Sequence, residues 1–394
     1  MNFAFTEEQQ QLADALRRYL DKEYGFDARR AVVHSAAGVS DAHWSGLAEL
    51  GMTALPVPEA QGGFSGSAVD MLVVMQALGR ALVVEPYWAT AVGIEALRVA
   101  GSAQGADAAL LEQAAQGELK LAVAFHEPAA RYDIFSVETI ATPQQGDACQ
   151  LNGVKSIVQH GAQAQQWIVP ARVNGEIALC VVARDAAGVE VTDYRTIDGQ
   201  RAATLQFAHT PARRLMGAHA GAATLERIAD YGTLLLCAEA LGALDALNHA
   251  TVEYTKTRQQ FGVPIARFQA LQHRMVDMMI HAEQARSLTY LAAMRYADEA
   301  AQSQSQSQSQ SQSHAGPQAD ERRRAVSAAK VRIGQAARFV GQQAIQLHGG
   351  MGMTDEVMAA HLFKRLSIVE TTLGDVDHHL ARFAALPGFA TSAA

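Results

Sequence analysis

Apolar residues in the first third of the chain recur at helical spacing. Leu12, Leu16 and Leu20 follow Thr6 and Gln9, whose three-residue separation marks a capping box at a helix start. Trp44, Leu47, Leu50 and Met52 continue the pattern until Pro56 to Gly63, rich in proline and glycine, predicts a loop. Met71, Val74, Met75, Leu78 and Leu82 predict a further helix. From Leu119 the pattern shortens to β-rich runs at 119–125, 154–159, 167–173, 177–183 and 204–207, and Asn152-Gly153 and Asn174-Gly175 predict tight turns between them. Helical spacing returns after Pro211, through Leu234 to Leu247, Leu271 to Ala282 and Val331 to Leu347. Helices, then strands, then helices predict an α+β fold with segregated elements, divided at 1–117, 118–215 and 216–394.

One stretch fits no element. Gln302 to Ser313 alternates Gln and Ser and leads into His314 to Pro317, with no apolar side chain large enough to offset its ordering entropy, which predicts a disordered insertion over 302–318. The remaining chain is long and apolar enough for two or three packed domains. A net charge of -8 argues against a nucleic-acid partner, and the short basic run Arg322 to Arg324 reads as a solvated helix face. Cys149, Cys180 and Cys237 are odd in number and far apart, suggesting neither a disulfide framework nor a thiolate metal site. The start carries no basic-then-apolar leader and no apolar run is long enough to span a bilayer, so the expected setting is cytoplasmic, away from any membrane.

Three stretches carry a resemblance. Leu47 to Met52 running into Pro58 to Gly63, then Thr257 to Gly262 with Phe268 to Gln272, then Ala344 to Gly352, resemble three signatures of the acyl-CoA dehydrogenase superfamily, in the family's order and at its spacing. The resemblance implies an N-terminal helical domain, a middle β-barrel-like domain and a C-terminal four-helix bundle, usually assembled as a tetramer built from dimers. It implies FAD between the β domain and the bundle, with a neighbouring subunit reaching the pyrophosphate and adenine. Carried over residue by residue, the flavin contacts are Arg258, Phe261, Gln269, Gln346, Gly349 and Gly350. Taken as residues alone, each has a second reading. Arg258 can hold a pyrophosphate bidentately or complete a helix C-terminus. Phe261 fits a core, the two glutamines fit bonds to nearby carbonyls, and Gly349-Gly350 fits a helix C-cap. In the β domain the sequence departs from better-known members: His126-Glu127-Pro128 stands in place of a Thr-Glu-Pro run, and Lys155 to Gln159 lacks the usual Trp and Thr.

The family reaction implied is α,β-dehydrogenation of an acyl-CoA thioester, with electrons passed to an electron-transfer flavoprotein-type acceptor. It needs a carboxylate base whose pKa a dry site raises. The two positions where members carry it hold Leu373 and Gly232 here. Asp375 is the nearest substitute, weighed against a plain turn or cap, and Glu370 is another. Glu239, lodged among apolar residues, reads chiefly as a buried carboxylate satisfied by an arginine. His378-His379 suggests no metal site, since neighbours on a helix diverge. Gly374 to His379 resembles small or partner subunits of bacterial heteromeric acyl-CoA dehydrogenases, of the pimeloyl-CoA dehydrogenase small-subunit type, in which a homologous partner supplies the base. Homo-oligomer assembly, a flavin oxidase or monooxygenase-like chemistry, and a non-catalytic structural subunit stay open.

Overall fold

The computed structural model describes residues 5–102, 104–215, 221–306 and 317–387. Helices α1 (Glu7–Glu23), α2 (Phe26–His34), α3 (Asp41–Glu49), α4 (Ala68–Ala81), α5 (Tyr87–Ala100) and α6 (Ala106–Ala115) come first. Strands β1 (Leu121–Val123), β2 (Ile140–Pro143), β3 (Ala148–Gln159), β4 (Gln166–Val173), β5 (Glu176–Ala183), β6 (Val189–Arg195) and β7 (Arg201–Arg214) follow. The remainder is α7 (Ala222–Thr257), a hairpin of β8 (Gln259–Gln260) and β9 (Val263–Pro264), α8 (Gln269–Gln306), α9 (Pro317–His348), α10 (Met358–Thr371) and α11 (Val376–Ala384). These elements form two compact units that cut across chain order: residues 1–30, 68–83 and 233–394 in one, 31–67 and 84–232 in the other.

In the first unit α1 starts as the sequence predicts, with Thr6 accepting from the Gln9 amide and Gln9 returning a bond to Thr6. Two glycines bring α4 against α7. A Cβ on Gly79 would sit 1.9 Å from the Glu239 carbonyl oxygen, and one on Gly242 would sit 1.9 Å from that of Gln76. Only glycine lets the two backbones approach so closely. On the next face of the bundle, Arg322 does not project into water: it is buried and pairs with Glu299 at 2.6 and 2.7 Å. The sequence reading of a solvated basic face fails there because α8 supplies a partner charge. The Gln-Ser tract also differs from expectation at its edges. Residues 302–306 continue α8 and 317–318 open α9, since extending an existing helix adds a bond per residue without a new nucleus. The middle of the tract, 307–316, lies outside the described residues.

The second unit is built on a closed ring of strands in the order β4, β2, β3, β7, β5 and back to β4, with β1 parallel to β4 and β6 along β7. Closure leaves no open edge among these five strands. Asn174 (φ +50°) and Gly175 (φ +91°) make the predicted two-residue turn between β4 and β5. Asn152-Gly153 does not turn. It lies inside β3 at a bulge, where Gly153 passes so close to Thr139 that a Cβ would sit 2.5 Å from its hydroxyl. Pro211 belongs to β7, and helical structure returns after it at Ala222. Lys155 is fully buried and donates to Glu127 Oε1 at 2.7 Å, while the Glu127 carboxylate accepts from the amides of Glu138 and Thr139. Burial pushes the Lys155 pKa down; it pushes Glu127 up, but Lys155 and Thr139 outweigh it and hold that carboxyl low. Cys149 and Cys180, distant in sequence, meet with sulfurs 3.7 Å apart, and all three cysteines are buried thiols. No helix among the described residues is long and apolar enough to cross a membrane.

Candidate cofactor site and the loop at Leu373

Helix α7 ends at Thr257, and Arg258 follows as its cap, its amide donating to Tyr254 O at 2.8 Å and its carbonyl accepting from Ile265 at 2.9 Å. These bonds hold the backbone of Arg258 between a helix and the β8–β9 hairpin. Its side chain is exposed and makes no hydrogen bond or ion pair among the described residues. Phe261 and Gly262 form the tip of that hairpin with φ of +56° and +79°. Phe261 is 90% exposed, touching Phe268 edge-to-face at 6.0 Å. The core reading of Phe261 is therefore overturned: a two-residue turn points it outward.

Gln269, the first residue of α8, and Gln346, in the last turn of α9, are both exposed, and neither amide bonds to a nearby carbonyl among the described residues. Arg274 on α8 donates to Gln343 on α9 at 3.3 Å, so the start of α8 lies against the end of α9. Gly349 has φ +58° and stops α9, as a C-cap glycine does. Gly350 needs no such conformation. A Cβ at either position would meet nothing within 4 Å, so glycine at 350 serves no contact among the described residues. The turn Gly349–Met353 is nevertheless well held: Thr354 donates to Met351 O through both amide and hydroxyl, and a Cβ on Gly352 would press on Ile345 O and His348 Cβ. Tyr254 on α7 stacks on His348 at the end of α9, with centroids 4.5 Å apart and planes 23° apart. This stack places the Arg258 end of α7 beside the Gly-Gly turn. Six residues singled out from the sequence thus sit at helix ends and turns of one unit, exposed, with long polar groups unengaged.

The loop where a base is expected is built in the opposite way. Leu373 is buried in a left-handed conformation (φ +56°), followed by Gly374 at φ +110°. Lys330, 1% exposed, reaches up from α9 and donates to Glu370 O at 2.9 Å and Gly374 O at 2.5 Å. Burial pushes its pKa down to about 8, against the pull of Cys237, Glu370 and Asp375. His379, also buried, donates from Nε2 to Leu373 O at 3.0 Å, and burial beside Lys330 and Arg382 holds it well below the usual histidine range. Asp375 caps α11 by accepting from the His378 amide at 2.9 Å. Glu370 pairs with Arg338. Glu239 is buried and forks onto Arg365 at 2.6 and 2.8 Å, the arginine partner expected for it.

Sequence reasoning missed Lys330, Tyr254 and His348. Lys330 had a signal, being a lone charge inside Ala328-Ala329-Lys330-Val331; the stack had none, since its rings come from helices far apart in the chain.

Residues 6–118 match the acyl-CoA dehydrogenase N-terminal domain, 122–210 the middle domain and 219–385 the C-terminal domain. Acyl-CoA dehydrogenase IpdE2 of Mycolicibacterium smegmatis is 28% identical over 381 residues, covering 96% of this chain and 99% of that protein. Among solved structures, the ChsE4-ChsE5 complex from Mycobacterium tuberculosis superposes with a TM-score of 0.85 at 25% identity, covering 98% of both chains. The Tcur3481-Tcur3483 steroid ACAD gives 0.84 at 27% identity, covering 96% of this chain and 97% of that one. With helices, a closed strand ring and helices in the matching order, and all three domain types in register, this chain belongs to the acyl-CoA dehydrogenase family.

Proposed function

We propose that the chain is one subunit of an FAD-dependent acyl-CoA dehydrogenase whose homologous partner supplies the base for α,β-dehydrogenation of an acyl-CoA thioester. Family membership makes it an oxidoreductase acting on a CH-CH bond with FAD as cofactor. FAD, when bound, supplies the hydride acceptor. The residues present fit that group: Gly350 faces open space with no conformational need for glycine, and an arginine and two amides around the same helix ends have no partner among the described residues. Arg258 is assigned the pyrophosphate, which its planar fork matches, and Gln269 and Gln346 the polar edges of the nucleotide. Phe261 gives an apolar contact, and Gly349-Gly350 allows close approach.

The observation that carries the partner reading is the closed loop. Leu373 cannot accept a proton, Glu239 is tied to Arg365, Glu370 to Arg338, and Asp375 to the start of α11. Two of the similar structures bear names of two components, which supports a paired assembly. Electrons then leave to an electron-transfer flavoprotein-type acceptor, and the domains divide near residues 118 and 216. The test is turnover of acyl-CoA by this chain alone and co-expressed with a homologous subunit. The proposal expects flavin in the pair and turnover only in the pair. Turnover by the chain alone, abolished by Asp375→Asn, would instead make Asp375 the base; a pair without flavin absorbance would leave a structural subunit.

A further inference from the structure

Two motifs far apart in sequence, Arg258 at the end of α7 and Gly349-Gly350 at the end of α9, face a ligand together only if something sets their separation. Among the described residues, the Tyr254–His348 stack links them directly through side chains. Each ring is itself anchored to its motif. The Tyr254 carbonyl accepts the Arg258 amide at 2.8 Å. His348 is the residue before Gly349, its Nδ1 donates to Ala344 O at 2.8 Å, and its Cβ lies where Gly352 folds back on it. The bond to Ala344 sets the tautomer with hydrogen on Nδ1, and burial keeps the ring neutral by lowering its pKa.

We infer that Tyr254 and His348 are positioning residues for the flavin: their stack acts as a spacer that holds the Arg258 guanidinium and the Gly349-Gly350 turn at the separation a dinucleotide pyrophosphate requires. The inference rests on the flavin reading above. A bidentate arginine contact is sensitive to displacements of about 1 Å, and a ring stack constrains both distance and tilt in a way an aliphatic contact does not.

The experiment uses the full chain, with its partner subunit where one is needed for solubility, and measures FAD affinity by flavin fluorescence together with the visible circular dichroism of bound flavin. Tyr254→Leu and His348→Asn, the latter keeping a donor for Ala344 O, are each expected to weaken FAD about tenfold or more and to change the flavin dichroism, while Tyr254→Phe stays within about twofold. The double variant should be no weaker than either single one, as expected for two residues acting through one contact. Should Tyr254→Leu lose its cooperative melting transition, His348→Asn and Tyr254→Phe decide alone. Wild-type protein that binds FAD, with both disruptive variants binding equally well or with losses that simply add, overturns the positioning role and leaves the flavin reading standing. Wild-type protein that does not take up FAD overturns both.

Discussion

The Arg258 corner and the Leu373 loop belong to the same helical unit and are built on opposite plans. At the corner, backbone bonds hold helix ends and turns while the side chains of Arg258, Gln269 and Gln346 are exposed and make no hydrogen bond among the described residues. At the loop, side chains from three directions, Lys330, His379 and Asp375, are used up in holding backbone. A region arranged to receive something leaves hydrogen-bonding capacity unused, because displacing protein partners would work against binding. A region arranged to stay as it is uses that capacity internally. The contrast separates holding a cofactor from moving a proton, and the proposed function gives this chain only the first.

Substitutions should sort along that divide. Glu239→Ala, which strands Arg365 in the interior, should destabilise by about 3–5 kcal/mol in chemical denaturation. Lys330→Met should follow at about 2–4 kcal/mol, since it removes two charge-assisted bonds to loop carbonyls, and the loop amides should lose protection in hydrogen exchange. At the corner, Arg258→Met should leave stability within about 0.5 kcal/mol, as for exposed sites, yet weaken FAD by about tenfold to a hundredfold in a titration. A large stability loss at Arg258 with unchanged flavin binding would erase the contrast. The pH dependence comes next. Burial depresses His379, His361 and His348 in the folded state, so the unfolded chain binds more protons below the ordinary histidine pKa near 6.5. Stability is then full above about pH 6.5 and falls as pH drops through that value toward the folded pKa of each group. The melting temperature should decline between about pH 7 and 5, and less steeply in His379→Phe. The smallest effect belongs to Asp375: →Ala should lose a helix cap of about 1 kcal/mol, and →Asn should hold stability within a few tenths while leaving turnover of the paired assembly intact.

Local chemistry was readable from the sequence and distant contacts were not. The capping box at Thr6, the turn at Asn174-Gly175 and the helix stop at Gly349 each depend on a few consecutive residues, and each formed as read. Asn152-Gly153 carries the same turn signature yet serves as a bulge inside β3, where the register against β7 shifts and Gly153 packs on Thr139. Strand β6, Val189–Arg195, was passed over although it alternates, since only part of its face is covered along β7. Arg322 read as a solvated helix charge until Glu299 met it, and Lys330 went unread because the Glu370 and Gly374 carbonyls that hold it lie some 40 residues on. The candidate flavin residues were legible through family spacing; their exposure, and the aromatic link between their two halves, needed three dimensions.

The crossing at Gly79 and Gly242 bears on how this chain can be cut or exchanged. Backbone touches backbone there, so the buried side of α7 is completed by a helix that the ribosome makes some 160 residues earlier. A fragment starting near residue 216 would expose that stripe to water and should aggregate, whereas supplying residues 68–83 as a separate peptide should restore its solubility.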